Sequence, residues 1–251
     1  MRLISKIGKR IRYMLRSFFR FKQVTLHNVK INIDHPNIPR DLRRYFYKGE
    51  YEAQEITILD KILNEDDVVM EIGAGIGFLS AYCAKKVGDD QVYSYEANPK
   101  MIGKIEETFR LNDVSPHLNN LLLSSSNGEI EFYSENSFWS SSVYKRTDNS
   151  ELITVKCRNV NEEISKVKPS ILVVDIEGGE ETLVPLLELS SVRALIIEIH
   201  PHIIGDRMAS EIVGAIIKKG FCINMHKTEG IVYLFEKCEE KLLKNIKNDR
   251  L

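Results

Sequence analysis

Cysteine is scarce in this chain of 251 residues: Cys83, Cys157, Cys222 and Cys238 stand far apart and form no Cys-x-x-Cys pair. That spacing offers no disulfide framework, so reduced thiols in a reducing, cytoplasmic setting are expected, three of them in apolar surroundings. No run approaches the roughly 20 apolar residues of a bilayer-spanning helix. The N-terminus also lacks the unbroken apolar core of a secretory signal. A net charge is missing too: 35 Lys and Arg against 36 Asp and Glu name no charged partner. Locally it is acid that is absent. The first thirty residues carry nine Lys or Arg and no Asp or Glu, which leaves the remainder acidic.

What is present fits one α/β domain with additions. Three segments are expected: a basic amphipathic helix over 1–22, a small hairpin and loop over 23–50, and the main domain over 51–251. In the first, Ile4, Ile7, Ile11, Met14 and Phe18 share one helical face, with Arg2, Lys6, Lys9, Arg16 and Arg20 opposite. Such a helix either lies peripherally on an anionic membrane or covers an apolar patch of its own domain with its basic face in water. An organelle transit peptide is a third reading.

Alternation from Val24 to Ile33 predicts a hairpin turned at His27-Asn28, and a helix is predicted over 51–63. The core follows a strand–helix rhythm. Strands are expected at 67–72, 91–96, 118–123, 171–175 and 194–199, and helices at 77–87, 99–112, 178–189 and 210–219. An inserted strand pair (129–133 and 152–157) flanks the Ser-rich stretch 137–142, which with Trp139 is the expected acceptor loop. A closing antiparallel hairpin (221–225 and 231–235) and a charged helix over 238–247 end the chain. The fold class is therefore α/β, a Rossmann-like, doubly wound, mostly parallel seven-stranded sheet with helices on both faces.

Ligands of such a sheet sit outside the carboxyl ends of its strands. The first core strand runs into Glu71-Ile72-Gly73-Ala74-Gly75-Ile76-Gly77, a turn that lets a ligand approach the backbone at the start of a helix. A dinucleotide loop would need a third glycine where Phe78 stands. Glu71 inside the turn would repel a pyrophosphate, yet it suits an ammonium group. S-adenosylmethionine carries an ammonium and no phosphate, so it is the expected cofactor. Glu96, at the next strand end, is placed to accept from both ribose hydroxyls. Ala97, Leu122 and Leu123 would border the adenine.

Asp175, Glu177, Glu198 and His200 leave two further strand ends toward the expected methyl group. Asp175, Glu177 and His200 are the candidate catalytic residues, for alignment and for removal of an acceptor proton. Glu180 is read as a helix-capping acid. No metal is expected, and Asp175, Glu198 and His200 would be the ligands if one were used.

Together these residues resemble the FkbM family of class I methyltransferases. The resemblance is carried by Tyr47-Lys48-Gly49-Glu50-Tyr51-Glu52, the loop from Val69 to Gly77, Tyr95-Glu96-Ala97-Asn98-Pro99, Asp175-Ile176-Glu177-Gly178-Gly179-Glu180 and Ile197-Glu198-Ile199-His200-Pro201. It implies a Rossmann-like sheet, S-adenosylmethionine as donor, and transfer to a hydroxyl of a sugar, glycan or secondary metabolite. The chain departs from the family at Asn159-Val160-Asn161, where a Leu-Asp pair is usual, and in the apolar strand before Asp175. The alternatives are a nucleotide-cofactor oxidoreductase and a non-catalytic interaction module at a membrane. Nucleic acid is not an expected partner, because no Asn-Pro-Pro-Tyr-like base grip follows the fourth strand.

Overall fold

The computed structural model describes residues 10–11, 13–36, 38–134 and 151–238. The Ser-rich stretch with Trp139 and the expected terminal helix lie outside these residues, except for Cys238, which is not helical. Residues 13–18 form a helix, followed by a hairpin of β1 (Gln23–Leu26) and β2 (Val29–Asn32). Its two turn residues, His27 and Asn28, both have left-handed φ (45° and 66°), the twist that a two-residue hairpin favours. Helices α1 (Arg43–Lys48) and α2 (Ala53–Ile62) lead into the core.

The main sheet contains β3 (Val69–Ile72), β4 (Val92–Tyr95), β5 (His117–Asn119), β9 (Ile171–Val174), β10 (Ala194–Glu198), β11 (Phe221–Ile223) and β12 (Val232–Lys237). Their order is β11-β12-β10-β9-β3-β4-β5. The five strands from β10 to β5 are parallel, and β12 runs antiparallel to both its neighbours. A dinucleotide-binding sheet adds its sixth strand directly after the fifth. Here the final strand is inserted between them. The β3 and β9 strands alternate their apolar side chains between two cores: Val69, Ile171 and Val173 on one face, Met70, Ile72, Leu172 and Val174 on the other. Burial on both faces explains their near-continuous hydrophobicity.

Around the sheet pack α3 (Phe78–Val87), α4 (Pro99–Leu111), α5 (Val160–Val167), the short α6 (Glu180–Leu183) and α7 (Pro201–Lys218). A second sheet, β6 (Leu122–Ser124), β8 (Glu151–Asn159) and β7 (Gly128–Ser134), adjoins the main one.

Several expectations are corrected. The strand expected over 118–123 is two strands in different sheets, broken at Asn120, whose side chain donates to the Glu96 carbonyl. Helix α5 had not been anticipated, although Asn159 caps it, accepting from the N–H groups of Asn161 and Glu162. The helix expected over 178–189 ends early in a 3₁₀ turn at Val184–Leu186, where Pro185 cannot continue the hydrogen-bond ladder. Helix α7 starts at Pro201, nine residues before the expected Ser210, and bends at Gly205 (φ 81°). Cys222 and Cys238 form a disulfide with Cα atoms 5.5 Å apart, because β11 and the end of β12 are antiparallel neighbours. This overturns the expectation of four reduced thiols and removes the ground for a reducing setting. Cys83 and Cys157 are free and buried.

Asp67 anchors the start of β3. It is buried and accepts from both Nε and Nη2 of Arg193, from Ser170 Oγ (2.6 Å) and from the N–H of Asn64 (2.8 Å). Burial pushes its carboxyl up, but Arg193, Ser170 and the Asn64 N–H outweigh it, so its pKa lies below the usual value. The stabilisation is therefore present above the ordinary carboxylate pKa and is lost as pH falls through the lower folded value. In urea titrations at neutral pH, Asp67→Asn is expected to cost about 2 kcal/mol, below the roughly 3–5 kcal/mol of a fully buried pair. The discount reflects the Arg193 side chain, 37% of which remains exposed.

Candidate active site

The glycine loop closes β3 against the start of α3. Gly73, Gly75 and Gly77 all have positive φ (93°, 57° and 75°). A Cβ on Gly73 would stand 1.8 Å from the Asp175 carbonyl oxygen, and one on Gly77 would stand 2.8 Å from Ile105 Cγ2. Gly73 thus lets two strand ends touch, and Gly77 lets α3 approach α4. The Gly73 and Ala74 N–H groups both donate to the Tyr95 carbonyl.

Glu96 is held at the tip of β4. Its Oε2 accepts from the Gly75 N–H at 2.9 Å and its Oε1 from the Asn98 N–H at 2.8 Å. Burial pushes its pKa up to about 7, partly offset by the Asn98, Gly75 and Ala97 N–H groups. Each oxygen keeps a lone pair, and the carboxylate lines a cavity of about 960 Å³. That volume is at the upper end of small-ligand sites, roughly 300–1,000 Å³. Gly73, Gly75, Ala97, Leu122, Leu123 and Phe132 line it too. A carboxylate flanked by alanine, leucine and phenylalanine suits a ribose joined to an adenine.

Of the expected cofactor residues, Gly73, Gly75, Glu96, Ala97, Leu123 and Asp175 line this cavity, and Glu71, Ala74 and Gly77 do not. Glu71 shares its strand face with Val69 rather than Ile72, which turns it toward α3. There it is buried and accepts from Ser80 Oγ, which contacts Ser94 Oγ. Burial lifts its pKa to about 8, Ser80 opposes that shift, and the Glu96 charge adds to it. Glu71 therefore braces the loop from below and is not part of the cavity lining.

The second cluster assembles at the ends of β9 and β10, where Ile197 pairs with Val174 and the next residues, Glu198 and Asp175, emerge side by side. His200 is buried. Its Nδ1 contacts the fully buried Glu180, while its Nε2 lies 3.8 Å from Asp175 Oδ1, 3.7 Å from Glu177 Oε1 and 3.6 Å from Glu198 Oε1. Burial would lower the His200 pKa, but the Glu180 hydrogen bond and the charges of Glu177, Glu180 and Glu198 overcome it and leave the pKa raised. Glu180 was read as a helix cap; it orients the imidazole. Burial, then the charges of Glu198 and Glu55, drive the Asp175 pKa well up. Asp175, Glu177 and Glu198 line the same cavity as Glu96, with His200 behind them.

Residue order assigned no role to Tyr45, Glu50, Tyr51, Glu52 or Glu55, which also line the cavity. Glu55 is buried and shares a hydrogen bond with Glu198; burial and the Glu198 charge raise its pKa to about 7. The Tyr47–Glu52 stretch was the available signal, but nothing in its spacing places it opposite β10.

Residues 37–135 match the model of the TRM5/TYW2 methyltransferase domain. The hexuronic acid methyltransferase AglP of Haloferax volcanii is 31% identical over 169 residues, 64% of this chain and 64% of AglP. Solved structures similar to the chain include the following two. TYW2 of M. jannaschii, determined with AdoMet, has 16% identity, a TM-score of 0.41 and coverage of 86% of each chain. The ribosomal protein L11 methylase of Lactobacillus delbrueckii has 15% identity, a TM-score of 0.44 and coverage of 74% of this chain and 77% of that one. The strand order gives the chain a Rossmann-like α/β fold, and residues 37–135, less than half of it, match the TRM5/TYW2 methyltransferase domain.

Proposed function

We propose that the protein transfers a methyl group from S-adenosylmethionine to an oxygen of a sugar, glycan or similar hydroxylated acceptor, as an FkbM-type O-methyltransferase. The observation that carries this proposal is a single cavity lined both by Gly73, Gly75 and Glu96 and by Asp175, Glu177 and Glu198. The cofactor supplies a methyl on a sulfonium. Glu96 and the glycine loop orient the donor, and Asp175 and Glu177 face the acceptor with His200 behind them. A hydroxyl acceptor gives up a proton, for which this cluster provides the acceptors. The likeness to a hexuronic acid methyltransferase supports a sugar acceptor, hexuronates included. S-adenosylmethionine with a labelled methyl, offered with hexuronates and neutral sugars, is expected to label an acceptor oxygen. Label on RNA and on none of the sugars overturns the proposal.

Cofactor affinity is expected to weaken as pH falls through about 7, where Glu96 takes up a proton and loses acceptor capacity. Glu96→Ala removes two charge-assisted hydrogen bonds and is expected to cost about 1.5–3 kcal/mol, roughly 10- to 100-fold in Kd. Calorimetry with S-adenosylmethionine checks both outcomes.

Residues 1–22 are proposed to hold the enzyme at an anionic membrane surface. Among the described residues no helix is long and apolar enough to cross a membrane. Arg16 donates to the carbonyls of Thr25, Phe46 and Tyr47, which pins the segment to the domain, while Met14, Phe18 and Phe19 are at least 60% exposed. Arg10, Arg20 and Lys22 are exposed beside them. Among the described residues of the segment, apolar and basic side chains are thus exposed together. Salt-sensitive flotation with vesicles containing phosphatidylserine is expected, and equal binding after removal of residues 1–22 rules the role out.

A further inference from the structure

We propose that Asp175, Glu198 and His200 bind a hard divalent cation, of the Mg²⁺ or Mn²⁺ type, which grips the acceptor through an oxygen. Acidic strand ends are common and prove nothing alone. The deciding observation is His200. Its side chain is only 4% exposed, yet Nε2 makes no hydrogen bond to any described residue and lies 3.6–3.8 Å from one oxygen of each of Asp175, Glu177 and Glu198. Those separations are too long for hydrogen bonds. They lie between the cis and trans ligand spacings, about 3.0 and 4.2 Å, that metal–ligand bonds of about 2.1 Å produce. Ligand atoms of Asp175, Glu198 and His200 all fall within 4.8 Å of one another.

Three further features suit a metal site. Glu180, fully buried, engages Nδ1 and so turns Nε2 outward, the carboxylate–imidazole arrangement that orients metal-bound histidines. Asp175 Oδ1 is buried and has no hydrogen-bond partner among the described residues, a cost that coordination would remove. Glu55, hydrogen-bonded to Glu198, supplies a partner for a ligating carboxylate. One imidazole among carboxylates suits a hard or borderline ion rather than a thiophilic one.

The ion also resolves a conflict in the acceptor site. An acidic wall repels a uronate or a developing alkoxide, whereas a bound cation attracts either and leaves coordination positions open for two neighbouring oxygens. Acceptors with vicinal hydroxyls, or a hydroxyl beside a carboxylate, are the class that fits. For a hydroxyl, the proton passes to Glu177, which reaches the cavity. The oxygen's lone pair forms the C–O bond as the C–S bond breaks, and that bonding pair stays on sulfur as a neutral thioether. This role rests on the methyltransferase reading; binding of the ion does not.

Mn²⁺ titrated into chelator-treated full-length protein, followed by loss of the free-ion paramagnetic resonance signal, tests the site. One Mn²⁺ per chain is expected, with a nitrogen hyperfine coupling that disappears in His200→Asn. Affinity is expected to fall at least tenfold in Asp175→Asn and in Glu198→Gln, and about tenfold in Glu180→Gln, whose side chain orients His200 without touching the ion. Circular dichroism and S-adenosylmethionine calorimetry identify variants that remain folded. A wild-type protein that binds S-adenosylmethionine but no Mn²⁺ at millimolar concentration overturns the ion and leaves the methyltransferase reading standing. Bound Mn²⁺ without cofactor binding does the reverse. Mn²⁺ binding that is indifferent to Asp175 and Glu198, or that lacks nitrogen coupling, also overturns this site.

Discussion

Gly73→Ala is expected to abolish measurable binding of S-adenosylmethionine and to lower the melting temperature by about 10 °C. Two costs combine. A side chain at φ 93° is strained by roughly 1–2 kcal/mol. The new Cβ would also sit 1.8 Å from the Asp175 carbonyl oxygen, a backbone atom that cannot rotate away. Relief requires β3 and β9 to part at the point where both feed the cavity, for a total of about 3–5 kcal/mol. Calorimetry and thermal unfolding measured together decide the matter. An alanine variant with wild-type cofactor affinity would show that the contact between Gly73 and Asp175 does not shape the site.

His200→Asn is expected to reduce methyl transfer by about 10²- to 10⁴-fold while leaving the KM for S-adenosylmethionine within about threefold. Asparagine keeps a donor that can reach Glu180, which avoids stranding a buried carboxylate, but it offers nothing where Nε2 stood. The imidazole lies behind the cavity wall, so the cofactor does not depend on it. The split between kcat and KM is the informative readout. A matching rise in KM for the cofactor would place His200 in donor binding instead of at the acceptor.

Much of this molecule is legible in residue order, and the legible parts are local. The glycine loop can be read because a tight turn demands glycine at set positions. Glu96 can be read because one βα unit separates it from that loop. The turn at His27-Asn28 follows from two residues that tolerate left-handed backbone. The missed elements are those in which a long-range partner overrides the local pattern. Asn120 splits a strand by bonding to the Glu96 carbonyl, and Cys238 finds Cys222 across a strand pair sixteen residues apart. Glu71 shows the same limit within one strand: its presence in the turn is plain, while its face depends on which core Val69 joins.

Sequence periodicity and motif chemistry were enough for the class of sheet, the glycine loop and the acids at its strand ends, since each depends on neighbours within a few residues or one βα unit. Only the tertiary structure decided that these acids form one site. Parallel pairing of β9 with β10 sets Ile197 against Val174, so Asp175 and Glu198 emerge together. Glu180 then turns Nε2 of His200 toward them, and α2 brings Glu55 to Glu198 from more than a hundred residues away. Strand order and register, which no local stretch encodes, convert five separate polar residues into one cluster.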